Sequence, residues 1–181
     1  MSPRKKDTNG LRTALLGFFL EKSFHGYELF KNITQTSEFK IIWNIKQSLF
    51  YNHLEVLNNE GLLDKSIFEG SQYPDRKVYK ISEKGREVFF NWMVEPVSHG
   101  REMRQEFLAK LFFAIKQKQE FGWDLIQAQK NECALWINAI KIEKLAQNNI
   151  YQDLIFEYRI KQIEAMIDWL NFVESDKGMI F

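Results

Sequence analysis

The segment that decides the fold is residues 46–68, KQSLFYNHLEVLNNEGLLDKSIF, where a helical pattern stops and a strand pattern begins. Its first half carries apolar residues at the spacing of one helix face: Phe50, Leu54 and Leu57. Gly61 follows as a C-terminal cap, and residues 62–68 have the pattern of a strand. Beyond a group of turn-forming residues, RKVYKI at 76–81 predicts a second strand, so the segment predicts a helix followed by a β-hairpin.

Two predicted helices precede this segment and one follows it. Residues 11–21 have an apolar face with Asn9 as a cap, and Gly26 opens a second helix. Ser82 is placed to cap a further helix that runs to about Met93. Three helices followed by a two-stranded hairpin make a winged helix-turn-helix, an arrangement in which the third helix enters the major groove of DNA.

The C-terminal half has the pattern of long helices. No proline follows Pro96, and within 101–177 the only glycine is Gly122. Helices are predicted over 102–117, 121–149 and 151–174. We therefore expect a mainly α protein with a small β-hairpin, in which a winged helix-turn-helix domain over 1–95 precedes a helical domain over 96–181.

The helices of the C-terminal half have apolar stripes that are too wide for one chain to cover. We therefore expect a second copy of the chain to pack against them in a coiled-coil-like arrangement, giving a homodimer. The residues predicted to take part in dimerisation are Phe107, Leu111, Leu154, Tyr158, Met166 and Leu170.

Charge is distributed unevenly along the chain. The 181 residues include 25 Lys+Arg and 24 Asp+Glu, which gives a net charge of +1. Residues 1–86 hold 14 basic and 10 acidic residues, whereas residues 87–181 hold 11 basic and 14 acidic residues. A basic first half suits a polyanionic partner, although an asymmetry of this size also arises by chance.

Several classes of protein are excluded by what the sequence lacks. The single cysteine, Cys133, excludes an internal disulfide framework, and the scattered histidines have no metal-ligand spacing. No apolar run approaches the roughly 20 residues that span a bilayer, and the polar N-terminus is unlike a secretory signal, so we expect a soluble cytoplasmic protein. There is no Gly-rich phosphate loop, His-Glu-x-x-His motif or nucleophile elbow, so neither an enzyme nor a bound cofactor is expected.

Polar residues on the third helix and cations on the hairpin are the predicted contacts to double-stranded DNA. The helix side opposite the apolar face carries Ser48, Asn52, Glu55 and Asn59. The residues predicted to bind DNA are Lys46, Gln47, Ser48, Tyr51, Asn52, Lys65, Arg76 and Lys77. The alternative is a winged-helix adaptor that binds a protein, because a polar helix face is often only a solvated face.

Three further residues have alternative interpretations. Trp92 lies at the end of the predicted helix that begins after Ser82, where this linker helix meets the second domain, and it could bind a planar effector. Tryptophans at helical spacing are, however, more often core or interface anchors. Cys133 is predicted to be a small buried apolar residue rather than a redox sensor, and His53 a packed residue with its polar atoms satisfied rather than a pH switch.

Several motifs in order resemble the PadR family of transcriptional regulators, in the branch with a virulence-activator-like C-terminal region. The motifs are LLGFF at 15–19, HGYEL at 25–29, SLFY at 48–51, EGL at 60–62, RKVY at 76–79, ISEKG at 81–85, RQEFLAKLFF at 104–113, EYR at 157–159 and WL at 169–170. The family commonly has glycine and threonine where this chain has Ser48 and Leu49, so its detailed base contacts are not carried over.

The resemblance implies a homodimeric regulator that is usually a repressor. The C-terminal helices would pair two chains and space two wings on a palindromic operator. Some relatives bind phenolic acids or flat aromatic drugs that release the DNA, so a small aromatic effector is also implied.

Overall fold

The computed structural model describes residues 9–68, 76–117, 121–146 and 149–175. The chain divides into two units. The first unit comprises residues 1–93 with 108–112, and the second comprises 94–107 with 113–181. We call them the N-terminal unit and the helical unit. The division falls close to the predicted boundary after residue 95, but residues 108–112 group with the N-terminal unit.

The N-terminal unit contains five α-helices and three strands among its described residues. They are α1 (Asn9–Leu16), β1 (Phe24–His25), α2 (Gly26–Lys31), α3 (Phe39–Ile42), α4 (Gln47–Asn59), β2 (Leu63–Phe68), β3 (Arg76–Ile81) and α5 (Glu83–Val94). A 3-10 turn, Gly17–Phe19, extends α1, and a π-helical turn, Asn32–Thr36, extends α2. The winged helix-turn-helix prediction is confirmed, and the predicted turn at 69–75 lies outside the described residues.

The sheet has three antiparallel strands in the order β1-β3-β2, where the sequence predicted two. The extra strand is β1, whose Phe24 pairs with Tyr79 and whose His25 pairs with Val78. The short helix α3 was also missed. A strand of two residues and a helix of one turn are too short to show a period, and β1 exists only through its distant pairing with β3.

Aromatic side chains form much of the core of the N-terminal unit. The predicted apolar face of α4 is confirmed, since Phe50, Leu54 and Leu57 are at most 1% exposed. From α3, Phe39 meets Phe18 edge-on with ring centroids 5.1 Å apart, and Phe112 lies 5.5 Å from Phe39. Aromatic side chains contribute the largest apolar areas to a core, so this cluster holds the Gly17–Phe19 turn, α3 and Phe112 together.

Gly61 ends α4 in the predicted way. Its φ is +70°, a left-handed conformation that glycine adopts without strain. The Gly61 N–H donates to the Asn58 carbonyl at 3.0 Å, and the Leu62 N–H donates to the Leu57 carbonyl at 2.9 Å. This pair of hydrogen bonds is the Schellman motif, and it turns the chain from α4 into β2.

Ser82 joins the start of α5 to the end of α4. Its hydroxyl accepts from the Gly85 N–H at 3.0 Å, as predicted for a cap, and donates to the Gly61 carbonyl at 2.7 Å. Gly85 itself allows the close approach, because a Cβ there would lie 2.1 Å from the Leu62 carbonyl oxygen. The linker helix, α5, is therefore fixed to the turn that joins α4 to the wing, which is the hairpin of β2 and β3.

The helical unit is built mainly from an antiparallel helix pair. It contains a 3-10 turn at Glu102–Arg104 and the helices α7 (Phe121–Leu145) and α8 (Ile150–Ser175), whereas α6 (Glu106–Lys116) is shared between the two units. Lys144 pairs with Glu157 at one end of the helix pair, and Lys130 pairs with Glu174 at the other. The Asn149 side chain accepts from the Tyr151 N–H at 2.9 Å and so caps α8.

The described ranges hold neither a membrane-spanning helix nor a metal-binding cluster. No helix there combines the length and the apolar composition needed to cross a membrane. No group of three or more His, Cys, Asp or Glu side chains there is arranged to hold a metal ion.

Candidate nucleic-acid interface

The start of α4 presents polar side chains to solvent. Four of the predicted DNA-binding residues lie there and are exposed: Lys46, Gln47, Ser48 and Asn52. Lys46 has extended backbone at the N-cap position, no side chain caps the helix, and the first turn holds no acidic residue. The first N–H groups of α4 therefore keep their partial positive charge, which favours a phosphate oxygen.

Tyr51 is half-buried and has a packing role. Its ring lies against Gly26 at the start of α2, where a Cβ would stand 2.9 Å from Tyr51 Cε1. It also meets the Phe50 ring edge-on, with centroids 5.4 Å apart. Tyr51 therefore sets the spacing between α2 and α4, in addition to the phosphate contact predicted for its hydroxyl.

Glu55 joins α4 to the wing through three hydrogen bonds. Its carboxylate accepts from Lys65 Nζ at 2.8 Å, from the Tyr79 hydroxyl at 2.9 Å and from Lys77 Nζ at 3.3 Å. We call these four residues the Glu55 cluster. The sequence predicts Glu55 on the side of α4 that carries Ser48 and Asn52; in the structure its carboxylate is bonded to the three residues of β2 and β3.

The charges within the Glu55 cluster stabilise one another. The hydrogen bond from Lys65 is the main reason why the pKa of Glu55 falls to about 2, and those from Tyr79 and Lys77 lower it further, against a smaller rise from burial. Burial, together with the bond to Glu55, raises the pKa of Tyr79. Glu55 is therefore ionised throughout the neutral range, and the cluster carries a net charge of +1.

The two lysines of the cluster differ in their exposure. The Lys65 side chain is 22% exposed and that of Lys77 is 53% exposed. Lys65 also has the shorter bond to Glu55, so its charge is used largely inside the protein, whereas Lys77 keeps contact with solvent. Arg76 is the first residue of β3, where its backbone pairs with Phe68, and its side chain lies outside the described part of the structure.

His53 is buried without hydrogen-bond partners. It is 2% exposed, and neither ring nitrogen has a partner among the described residues. Burial, with a smaller contribution from the Arg12 charge, lowers the pKa of His53. The prediction of a packed residue is correct, but the prediction that its polar atoms are satisfied is wrong.

Trp92 is half-buried beside a buried cation. Lys110 Nζ lies 5.0 Å from the Trp92 ring centroid, and Lys110 is 2% exposed. The Phe89 ring lies 5.8 Å from that of Trp92. One face of the indole predicted to bind an effector is therefore occupied by a side chain of the protein.

The six predicted dimerisation residues fall into two groups. Phe107, Leu111 and Leu170 are at most 7% exposed within their own chain, and Met166 is half-buried. Leu154 and Tyr158 are 62% and 65% exposed. The exposed pair belongs to a larger set of exposed apolar residues on the helical hairpin that α7 and α8 form. We call this set the hairpin apolar face: Leu135, Ile142, Leu145, Tyr151, Leu154 and Tyr158.

Cys133 is buried in α7, as predicted for a small apolar residue. Burial raises the pKa of its thiol, so the thiolate needed for redox reactivity is disfavoured.

Two family models match the chain in succession. The model of the transcriptional regulator PadR-like family matches residues 15–91, and the model described as virulence activator alpha C-term matches residues 103–176. A curated protein of Mycobacterium tuberculosis, "Probable transcriptional regulator Rv1176c", is 26% identical over 178 residues, which cover 88% of this chain and 93% of that protein.

Three solved structures resemble this fold. Bacillus subtilis PadR in complex with operator DNA is 18% identical, with a TM-score of 0.48, and covers 92% of this chain and 98% of its own. The same protein in complex with p-coumaric acid is 18% identical, with a TM-score of 0.41 and coverage of 93% and 96%. A PadR-like regulator from Bacillus cereus is 21% identical, with a TM-score of 0.44 and coverage of 93% and 96%. All three TM-scores are below 0.5, so the family assignment depends on the two sequence models.

Proposed function

Because this chain belongs to the PadR-like family of DNA-binding transcriptional regulators, we propose that it acts as a homodimeric repressor of a palindromic operator. Members of this family are regulators and not enzymes, as the sequence predicted. The observation that carries the proposal is the start of α4, where exposed polar side chains surround an uncapped helix N-terminus.

In this proposal α4 lies in the major groove. Ser48 and Asn52 read base edges, because short polar side chains form the hydrogen bonds that distinguish base pairs. Lys46, Gln47 and the Tyr51 hydroxyl contact phosphates beside the helix N-terminus. The phosphate contacts position the protein on the duplex, and the base contacts give it a sequence preference.

The wing supplies charge in the adjacent backbone or minor groove. Arg76 and Lys77 are the proposed phosphate contacts, since they lead β3 and Lys77 is 53% exposed. Lys65 takes a smaller part than the sequence suggested, because its short bond to Glu55 holds it inside the cluster. Its proposed role is to fix the angle between the wing and α4.

A second copy of the chain completes the operator-binding form. We assign DNA binding to residues 1–95 and dimerisation to residues 96–181. The hairpin apolar face supports this assignment, because it leaves six large apolar side chains of α7 and α8 exposed, and exposed apolar surface is typical of protein interfaces. Two-fold symmetry of the dimer would then match the two-fold symmetry of the operator.

A small aromatic effector that releases the DNA is the last part of the proposal. Trp92 remains its first contact, through the indole surface that Lys110 does not cover. Binding there would act on α5, which is fixed by Ser82 and Gly85 to the turn between α4 and the wing.

The test begins with selection of bound sequences from a random DNA pool, followed by anisotropy titrations with selected and random duplexes. We expect the selected sites to be palindromic and bound at least about 1,000-fold more tightly than random DNA. Replacing Arg76 and Lys77 together by alanine should weaken binding to both duplexes and reduce the salt slope by about 2. Lys80→Ala is the control, because Lys80 is exposed on the face of β3 opposite Lys77.

Ser48→Ala and Asn52→Ala test the reading of bases. Each should change the preferred sequence and cost roughly 1–3 kcal/mol against the original site, with little effect on random DNA. Equal affinity for selected and random DNA would contradict sequence-specific regulation and favour the adaptor alternative.

A further inference from the structure

The helical unit contains a cavity that the proposed DNA-binding function does not use. Its volume is about 500 Å³, which lies within the roughly 300–1,000 Å³ typical of small-molecule sites. The cavity is formed by the segment 98–104 together with α7 and α8. Trp92 is not among the residues that line it.

One wall of the cavity is apolar. It is formed by Trp136, Ile140, Ile163 and Met166. Ile140 and Ile163 are buried, whereas Trp136 and Met166 are half-buried and so remain open to the cavity. The Trp136 indole and the flexible Met166 thioether, beside two branched aliphatic side chains, form a surface that accepts the apolar body of a ligand.

Arginines supply the polar side of the cavity. Three arginines line it, Arg101, Arg104 and Arg159, against one acidic residue, Glu143. Arg101 is 3.7 Å from Glu102, a long contact for an ion pair, and neither Arg104 nor Arg159 has an ion-pair partner in the described part of the chain. Guanidinium groups without a partner bind carboxylate, sulfonate and phosphate groups through paired hydrogen bonds.

The segment that carries two of these arginines is held at its start by Gln129 and ordered internally by Glu102. The buried Gln129 side chain accepts from the Val97 N–H at 2.7 Å and donates to the Val97 carbonyl at 3.1 Å. Glu102 accepts from the His99 N–H at 3.0 Å and lies 3.1 Å from His99 Nδ1. A cavity whose wall is already ordered loses little conformational entropy when a ligand binds.

We propose that this cavity is a binding site for an amphipathic organic anion, with the acidic group held by Arg104 and Arg159 and the apolar body packed on Trp136 and Met166. Glu143 would accept a hydrogen bond from a hydroxyl or amine at the other end of the ligand. The proposal concerns binding alone, and it is tested without DNA so that its failure is distinct from failure of the regulatory function.

The probes are 2-naphthoate and decanoate, which carry the same acidic group on a planar and on a flexible body, with naphthalene-2-carboxamide as the neutral match. Titration calorimetry on the full chain should give one site per chain for at least one of the two anions. The amide should bind at least about tenfold more weakly, because a hydrogen bond between charged groups is lost. The anion that binds more tightly shows whether the cavity prefers a planar or a flexible apolar body.

Variants localise the site. Arg104→Gln and Arg159→Gln should each weaken the anion about tenfold, whereas Lys141→Gln, which removes an exposed charge of α7 outside the lining, should leave it unchanged. Trp136→Phe should abolish ligand-induced quenching of tryptophan fluorescence while calorimetric binding persists. Absence of saturable binding by both anions would overturn the proposal, and so would equal binding by wild type, Arg104→Gln and Arg159→Gln.

Discussion

Helices α4 and α8 use their apolar residues in opposite ways. In α4 the apolar face is at most 1% exposed, and even the charged Glu55 beside it is held by Lys65, Lys77 and Tyr79. In α8 a buried stripe at Ile160, Ile163, Leu170 and Val173 coexists with Leu154 and Tyr158, which are 62% and 65% exposed. Helix α4 therefore buries its apolar face within the N-terminal unit, whereas α8 leaves apolar side chains that a partner can cover.

The largest expected effect is on the fold of the N-terminal unit. Gly85→Ala places a Cβ 2.1 Å from the Leu62 carbonyl oxygen, a backbone atom that cannot move without shifting β2. We expect a loss of about 2–3 kcal/mol in the free energy of unfolding, measured by urea denaturation. Gly100→Ala in the helical unit is the matched control and should change stability by less than about 0.5 kcal/mol, because its Cβ would meet only Met166 at 3.5 Å. Equal losses in the two variants would contradict the close approach at Gly85.

The next effect is on assembly. Leu154→Glu introduces a charge at the hairpin apolar face, where it would be buried in the proposed dimer. We expect the dissociation constant of the dimer to rise more than about 100-fold, measured by analytical ultracentrifugation, while far-UV circular dichroism changes little. Gln152→Glu adds the same charge at an exposed position of α8 and should leave the dimer intact. A dimer that tolerates Leu154→Glu would place the interface elsewhere.

A smaller effect is expected in the Glu55 cluster. Glu55→Gln keeps the shape of the side chain and removes the charge that neutralises Lys77 and Lys65. We expect a loss of about 1 kcal/mol in stability, since the carboxylate is partly screened by solvent, and stronger binding to random DNA because Lys77 is no longer paired. Thermal unfolding and anisotropy titrations measure the two results. Tyr79→Phe is the control that removes a hydrogen bond to Glu55 without changing charge, and it should leave the affinity for random DNA unchanged.

The smallest effect is on pH dependence. The folded pKa of His53 is below its unfolded value of 6.5, so the unfolded chain takes up a proton first as the pH falls. The stability contributed by neutral His53 is complete above pH 6.5 and is lost as the pH falls from 6.5 to the lower folded pKa, with a slope of at most ~1.4 kcal/mol per pH unit. Urea midpoints at pH 7.5 and 5.5 should differ less in His53→Met than in the wild type. An equal difference would remove His53 as the cause.

The order of elements was determined by the sequence, because it depends on local chemistry. The period of Phe50, Leu54 and Leu57, the left-handed glycine at Gly61 and the hydroxyl cap at Ser82 each act within a few residues. Such signals are readable from neighbouring residues alone. The long helices of the C-terminal half followed in the same way from the scarcity of proline and glycine.

The partners of individual side chains were decided only by the tertiary structure. Lys65, Lys77 and Tyr79 reach Glu55 because the wing folds back on α4, and Lys110 reaches Trp92 from a helix that follows in the chain. The tertiary structure also decided that strand β1 forms and that Phe107, Leu111 and Leu170 are buried. It likewise placed Arg104 and Arg159 in the lining of one cavity. Contacts between distant residues depend on how elements pack, and a helical period shows which residues share a face but not what that face meets.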